Sequence, residues 1–72
     1  MDAYEKLANA IILQAVKDYR GALKILKKRP ENISAKSTRD EVERFFRSGW
    51  YQVLTEVDGE MLIRRLLEEV GV

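Results

Sequence analysis

The sequence predicts a small all-α protein, a bundle of three helices with a long N-terminal helix, or of four helices if the second one breaks. Apolar residues recur three and four positions apart in three separate segments, which is the period of a helix with one buried face. The two-residue alternation of β-branched side chains that marks a strand is absent. A chain of 72 residues is too short for two cores, so residues 1–72 are expected to form one domain.

The composition is that of a folded chain, and it excludes several kinds of chemistry. With 46% hydrophobic and 35% charged residues and one proline, the chain does not resemble a disordered segment. Cysteine and histidine are both absent, which removes disulfides, thiol nucleophiles, imidazole bases and the usual zinc-ligand sets. We therefore expect a protein that is not an enzyme and that has no cofactor and no metal site.

The first helix is expected over residues 2 to about 28, because this stretch has no proline and is rich in strong helix formers. Basic residues at its end favour the negative pole of the helix dipole, and Pro30 ends it. At ~1.5 Å per residue the helix is about 40 Å long, more than a domain of this mass needs. Either the helix projects from its own domain, or a second copy covers the excess.

The start of the second helix has more than one candidate cap. Ser37 and Thr38 each precede an acidic residue by three positions, a capping pattern, and Ser34 offers a start one turn earlier. Residues 30–36 are then a loop, with Ile33 turned back onto the core. The apolar residues of this helix keep their helical period as far as residue 54.

Two further boundaries are signalled by single residues. Ser48 can cap a new helix and Gly49 destabilises a helix interior by about 1 kcal/mol, so we expect a kink or a step between them. Asp58 is the expected N-cap of the last helix. Gly71 is the expected left-handed residue after its end, with Val72 making the hydrophobic contact of a Schellman ending.

Aromatic residues crowd the second helix. Adjacent rings on a helix point to different sides, so one ring of each adjacent pair cannot face the same core. We expect Phe46, Trp50 and Val53 to fill the core and Phe45 and Tyr51 to lie at its margin. Apolar surface would then remain for a partner.

These observations predict self-association as a homodimer, most simply an antiparallel or isologous one along the first helix. Gly21 interrupts the middle of that helix, and a missing side chain there permits close approach by another helix. The candidate interaction surface comprises Tyr19, Gly21, Phe45, Trp50 and Tyr51. Binding to a different protein through the same surface is the other possibility.

The alternative is a small helix-turn-helix-like DNA-binding regulator. The formal net charge is only +1, which argues against a surface that binds polyanions everywhere. The one basic cluster lies at the end of the first helix, and its candidate phosphate contacts are Arg20, Lys24, Lys27, Lys28 and Arg29. A solvated helix end is the commoner meaning of such a cluster, so nucleic-acid binding is the second choice.

Residues 43–48 and 54–63, with a weaker likeness over residues 10–20, resemble a family of small uncharacterised proteins encoded in bacterial prophages and integrative mobile elements. About half of the chain is covered. The resemblance implies a mobile-element origin and an accessory role, and it supplies no functional residues. The acidic start and the lack of an apolar run of about 20 residues favour a cytoplasmic protein without a membrane segment.

Overall fold

The computed structural model describes residues 3–72, and Met1 and the predicted helix position Asp2 lie outside the described residues. Four helices and no strand occur within that range. The helices are α1 (Ala3–Lys28), α2 (Ile33–Phe46), α3 (Gly49–Leu54) and α4 (Gly59–Val70). The all-α prediction, with a long N-terminal helix, is confirmed.

Helix α1 sets the long dimension of the molecule. It has 26 residues, and the described chain measures 41 × 20 × 20 Å along its principal axes. The three shorter helices all pack against it. Apart from Ala8, its buried residues lie between Val16 and Leu26, whereas Tyr4 and Leu7 near its start are more than half exposed.

The core is built around the middle of α1, where all three other helices meet. Its members are Val16, Tyr19, Leu23, Phe46, Tyr51, Ile63, Leu66 and Val70. The ring of Phe46 lies edge-on to Tyr19 and Tyr51, with centroid distances of 5.9 and 5.6 Å. A smaller cluster of Ala22, Leu26 and Ala35 joins α1 to the start of α2.

The aromatic residues divide between core and surface differently from the prediction. Phe46 is buried as expected, but Tyr51 is 1% exposed while Trp50 and Val53 are more than half exposed, so the prediction for these three was wrong. The reason is the break between α2 and α3. It restarts the helical phase, so that the buried face of α3 passes through Tyr51 and no longer continues the buried face of α2.

Helix α2 begins earlier than any of the predicted caps. The side-chain oxygen of Asn32 accepts a hydrogen bond from the backbone N–H of Ala35 at 2.8 Å, and the helix starts at Ile33. The start at Ser37 or Thr38, and the alternative at Ser34, were therefore wrong. Ile33 is 81% exposed and does not turn back onto the core. An asparagine just after a proline turn is as good a cap as serine, and it comes first in the chain.

The remaining boundaries are confirmed. The Ser48 hydroxyl donates to the Phe45 carbonyl at 2.6 Å and accepts from the Tyr51 N–H at 3.1 Å, which ends α2 and caps α3. The Asp58 carboxylate accepts from the Glu60 N–H at 3.0 Å. Gly71 has φ of 83°, the left-handed conformation that follows a helix end.

Gly59 fixes how closely α4 approaches α2. A Cβ atom at this position would lie 2.0 Å from the backbone carbonyl oxygen of Phe46. Only glycine permits this contact, because the obstacle is backbone and cannot turn away. The close approach holds the start of α4 against the end of α2.

Candidate interaction surface

An open groove runs between α1 and the junction of α2 with α3. Its volume is about 570 Å³, and both apolar and polar side chains line it. The apolar lining includes Ile11, Ala15, Val42, Phe45 and Trp50. Trp50 is 54% exposed, and its place in this lining puts the largest side chain of the chain at the edge of the groove.

A second groove continues the first along α1 and α2. Its volume is about 650 Å³, and it shares Asp18, Glu41 and Val42 with the first. Gly21 and Ile25 line its α1 side. Together the two grooves form one continuous groove, which we call the α1–α2 groove. It is apolar near Trp50 and has the acidic side chains of Asp18 and Glu41 in its middle.

Gly21 lies in an open part of this groove. A Cβ atom added there would meet nothing within 4 Å, apart from the backbone of its own helix. Contacts inside the chain therefore do not require a glycine here, although glycine weakens a helix interior. The open space is consistent with the predicted approach of another helix.

Of the five predicted surface residues, the structure brings three to the α1–α2 groove. Gly21 and Trp50 are exposed, and Phe45 is half-buried in the groove lining. The other two correct the prediction, because Tyr19 is 0% and Tyr51 1% exposed, both within the core. Tyr19 follows the buried stripe of α1, and Tyr51 turns inward after the break at Ser48.

Tyr19 has a structural role that the sequence did not suggest. Its hydroxyl donates to a carboxylate oxygen of Glu43 at 2.6 Å, joining α1 to α2 across the core margin. Burial raises the pKa of Tyr19, and the hydrogen bond to Glu43 raises it further, so the phenol keeps its proton. Arg47 approaches the same Glu43 carboxylate at 3.6 Å and also pairs with Glu60 of α4.

The Tyr51 hydroxyl is the one buried side-chain polar atom without a hydrogen-bond partner within residues 3–72. Burial, and then the neighbouring charge of Asp58, raise the pKa of Tyr51. The Tyr51 ring packs edge-on against Phe45, with 5.7 Å between ring centroids, and edge-on against Phe46. The aromatic packing therefore accounts for the position of this side chain.

The predicted phosphate contacts fall into two groups. Arg20 forms a bidentate ion pair with Glu69 of α4. The Lys27 ammonium group donates a hydrogen bond to the Val70 carbonyl at 2.9 Å. The Arg20 guanidinium lowers the pKa of Glu69. Both cations thus hold the C-terminal end of α4 against α1. The other three, Lys24, Lys28 and Arg29, are exposed at the end of α1.

Two exposed residues of α1 were missed by the sequence reasoning, which followed the buried stripe. Leu7 is 61% and Ile25 46% exposed, and with half-buried Ile11 they lie on the face of α1 next to that stripe. The sequence feature that marks these residues is a series of positions spaced alternately three and four residues apart, beginning at Tyr4. This series is one position out of register with the core residues.

Comparison with known proteins gives no relative, since no family model, no curated protein and no solved structure matches the chain. Within residues 3–72, no helix is long and apolar enough to cross a membrane. Over the same residues, no group of three or more acidic, histidine or cysteine side chains is placed to hold a metal ion.

Proposed function

We propose that this chain is a non-catalytic protein-interaction module that associates with itself through its helices, serving as an accessory protein of a mobile element. The observation that carries the proposal is the α1–α2 groove, where exposed Trp50 and half-buried Phe45 and Ile11 surround open space. The mobile-element setting rests on the sequence resemblance alone.

Energetic considerations favour the groove over the rest of the surface. Tryptophan is one of the side chains most enriched among the residues that dominate binding energy at protein interfaces. Scattered exposed apolar residues are normal, but a contiguous set beside a groove is typical of an interaction site. Ile25 lines the far part of the groove and Leu7 lies one turn before Ile11, so apolar side chains continue along α1 on both sides of its centre.

The experiment is light scattering on the purified protein across a wide concentration range, comparing wild type with Trp50→Ala and Val53→Ala. Val53 is the matched control, because it lies on the same helix and is at least as exposed but does not line the groove. We expect wild type and Val53→Ala to form dimers and Trp50→Ala to dissociate at higher concentration. A wild-type protein that stays monomeric at every concentration would overturn the proposal.

DNA binding remains the second candidate, supported by the three exposed cations at the end of α1. Its test is gel retardation of duplex DNA at low and moderate salt with wild type and with Lys24→Gln, Lys28→Gln, Arg29→Gln combined. Phosphate contacts predict retardation that weakens steeply with salt and disappears in the triple variant. No retardation at low salt would eliminate this candidate. Retardation that persists in the triple variant would place the contacts elsewhere.

A further inference from the structure

We infer that the occupant of the exposed α1 face is α1 of a second copy, lying antiparallel with the twofold axis at the level of residue 16 along the helix. This inference rests on the proposed self-association and specifies its geometry. The positions of this face, called the α1 seam below, are spaced alternately three and four residues apart. They are Tyr4, Leu7, Ile11, Gln14, Asp18, Gly21, Ile25 and Lys28. That is the heptad spacing by which two helices keep one seam in contact along their length, roughly 36 Å here.

The seam is complementary to itself when one copy is reversed. Leu7 then meets the partner's Ile25, and both are exposed apolar side chains. Ile11 meets the partner's Gly21, and Gln14 meets the partner's Asp18. All three pairs are centred at the level of residue 16, so a single twofold axis generates every contact twice, as an isologous interface requires.

The pairing of Ile11 with the partner's Gly21 accounts for a glycine that the chain itself does not need. Space for a Cβ atom exists at Gly21, and a glycine in a helix interior costs about 0.5–1 kcal/mol relative to alanine. In the antiparallel pair, the branched Ile11 side chain occupies the position that a larger residue at 21 would fill. The loss of helix stability is then offset by closer packing between copies.

The two central positions of the seam, Gln14 and Asp18, are polar, and they are compatible with the antiparallel pair. The Gln14 amide donates to the Asp18 carboxylate at 3.0 Å within one helix, on an exposed face. Across the twofold axis, the same two groups face their counterparts, and each Gln14 amide has two N–H groups, so it can donate one to its own Asp18 carboxylate and one to the partner's. A polar layer between apolar pairs favours one register, because a shift by one heptad position places it against apolar side chains.

Charge favours the antiparallel over the parallel pair. The second half of α1, with the following Arg29, holds six of the seven cations between residues 3 and 29 and one acid, Asp18, whereas its first half holds one cation and one acid. A parallel pair would bring the two basic halves together, at a cost from like-charge repulsion and from aligned helix dipoles. The reversed pair places each basic half beside a nearly neutral one.

Cysteine cross-linking tests the register cleanly, because the chain has no cysteine of its own. The variants are Leu7→Cys and Ile25→Cys, studied alone and after unfolding and refolding as an equal mixture. In the antiparallel pair, the two copies of position 7 are about 27 Å apart along the axis, and so are the two copies of position 25. A disulfide needs Cα atoms within about 7 Å, so neither variant should cross-link alone.

The mixture should convert up to about half of the chains to a covalent dimer, the share of mixed pairs that random association gives. Leu13→Cys, mixed with Ile25→Cys, is the control, since Leu13 is 62% exposed and Leu7 61% but Leu13 lies off the seam. We expect no cross-link in the control.

The outcomes separate this inference from the proposed function. Light scattering that finds only monomer defeats both. A dimer in which Leu7→Cys or Ile25→Cys cross-links alone would show a parallel seam and overturn the antiparallel register. A dimer with no cross-link in any mixture would show that copies associate through another surface. Either result leaves self-association standing.

Discussion

Replacing Gly21 by alanine should change the stability of the single chain and its association in opposite directions. The added Cβ meets nothing within 4 Å outside its own helix, so the folded monomer accepts it without strain. Alanine in a helix interior is favoured over glycine by about 0.5–1 kcal/mol, and a full 1 kcal/mol corresponds to about 4–8 °C in the melting temperature of a domain this size. We therefore expect a monomer that melts a few degrees higher.

The same methyl group lies where Ile11 of a second copy is expected to pack. Gly21→Ala should for that reason dissociate at higher concentration than wild type, although each of its chains is more stable. The assay is thermal and denaturant unfolding at a dilution where wild type is monomeric, combined with light scattering at higher concentration. Dilution matters because association itself raises the apparent stability.

The control for the helix argument is Gly59→Ala. Here a Cβ would lie 2.0 Å from the Phe46 carbonyl oxygen, so this substitution should destabilise the fold. A Gly21→Ala chain that melts lower than wild type would refute the claim that this glycine has no role inside the monomer. A chain that is more stable and dimerises as well as wild type would refute the close approach of a second helix.

Three further results are expected from the contacts of the fold. Tyr19→Phe should cost about 1.5–3 kcal/mol in denaturant unfolding, because it removes a donor from the partly buried Glu43 carboxylate. Ser48→Ala should cost about 1 kcal/mol in the same assay, since it removes the cap of α3. Pairing with arginines lowers the pKa of Glu60 and of Glu69 below the ordinary value of a glutamate, so both pairs stabilise the fold at neutral pH and lose that effect as pH falls through the lowered pKa. The denaturant concentration at the unfolding midpoint should therefore decrease once the pH is lowered below the ordinary pKa of glutamate, and the decrease should be smaller in high salt. A midpoint insensitive to acid would show that the pairs contribute nothing.

Local signals in the sequence were sufficient for most of the fold. Ser48, Asp58 and Gly71 each act through a hydrogen bond or a backbone conformation a few residues away, and all three were predicted correctly. The start of α2 was missed because Asn32 and the later serine and threonine caps are equally good by local rules. Packing of Ala35 against Ala22 selects the earlier start, and that contact is not local.

The candidate site was harder to predict, because it depends on how helices are rotated against each other. Trp50 and Tyr51 are adjacent in sequence, and only the phase of α3 after its cap decides which ring turns inward. In the same way, nothing in the sequence near Arg20 and Lys27 indicates that α4 will engage them. Gly21 could be singled out from the sequence because a helix-interior glycine is conspicuous without any tertiary information, and the structure places it at the surface.

The most direct test of the account is sedimentation equilibrium of wild type beside two substitutions that differ only in the face of α1 they change. Leu7→Lys and Leu13→Lys each place a charge at a leucine about three-fifths exposed, so neither should perturb the monomer fold. If the exposed α1 seam joins two copies, wild type and Leu13→Lys are dimers and Leu7→Lys is a monomer. A monomeric wild type, or a Leu7→Lys dimer as tight as that of Leu13→Lys, would contradict it.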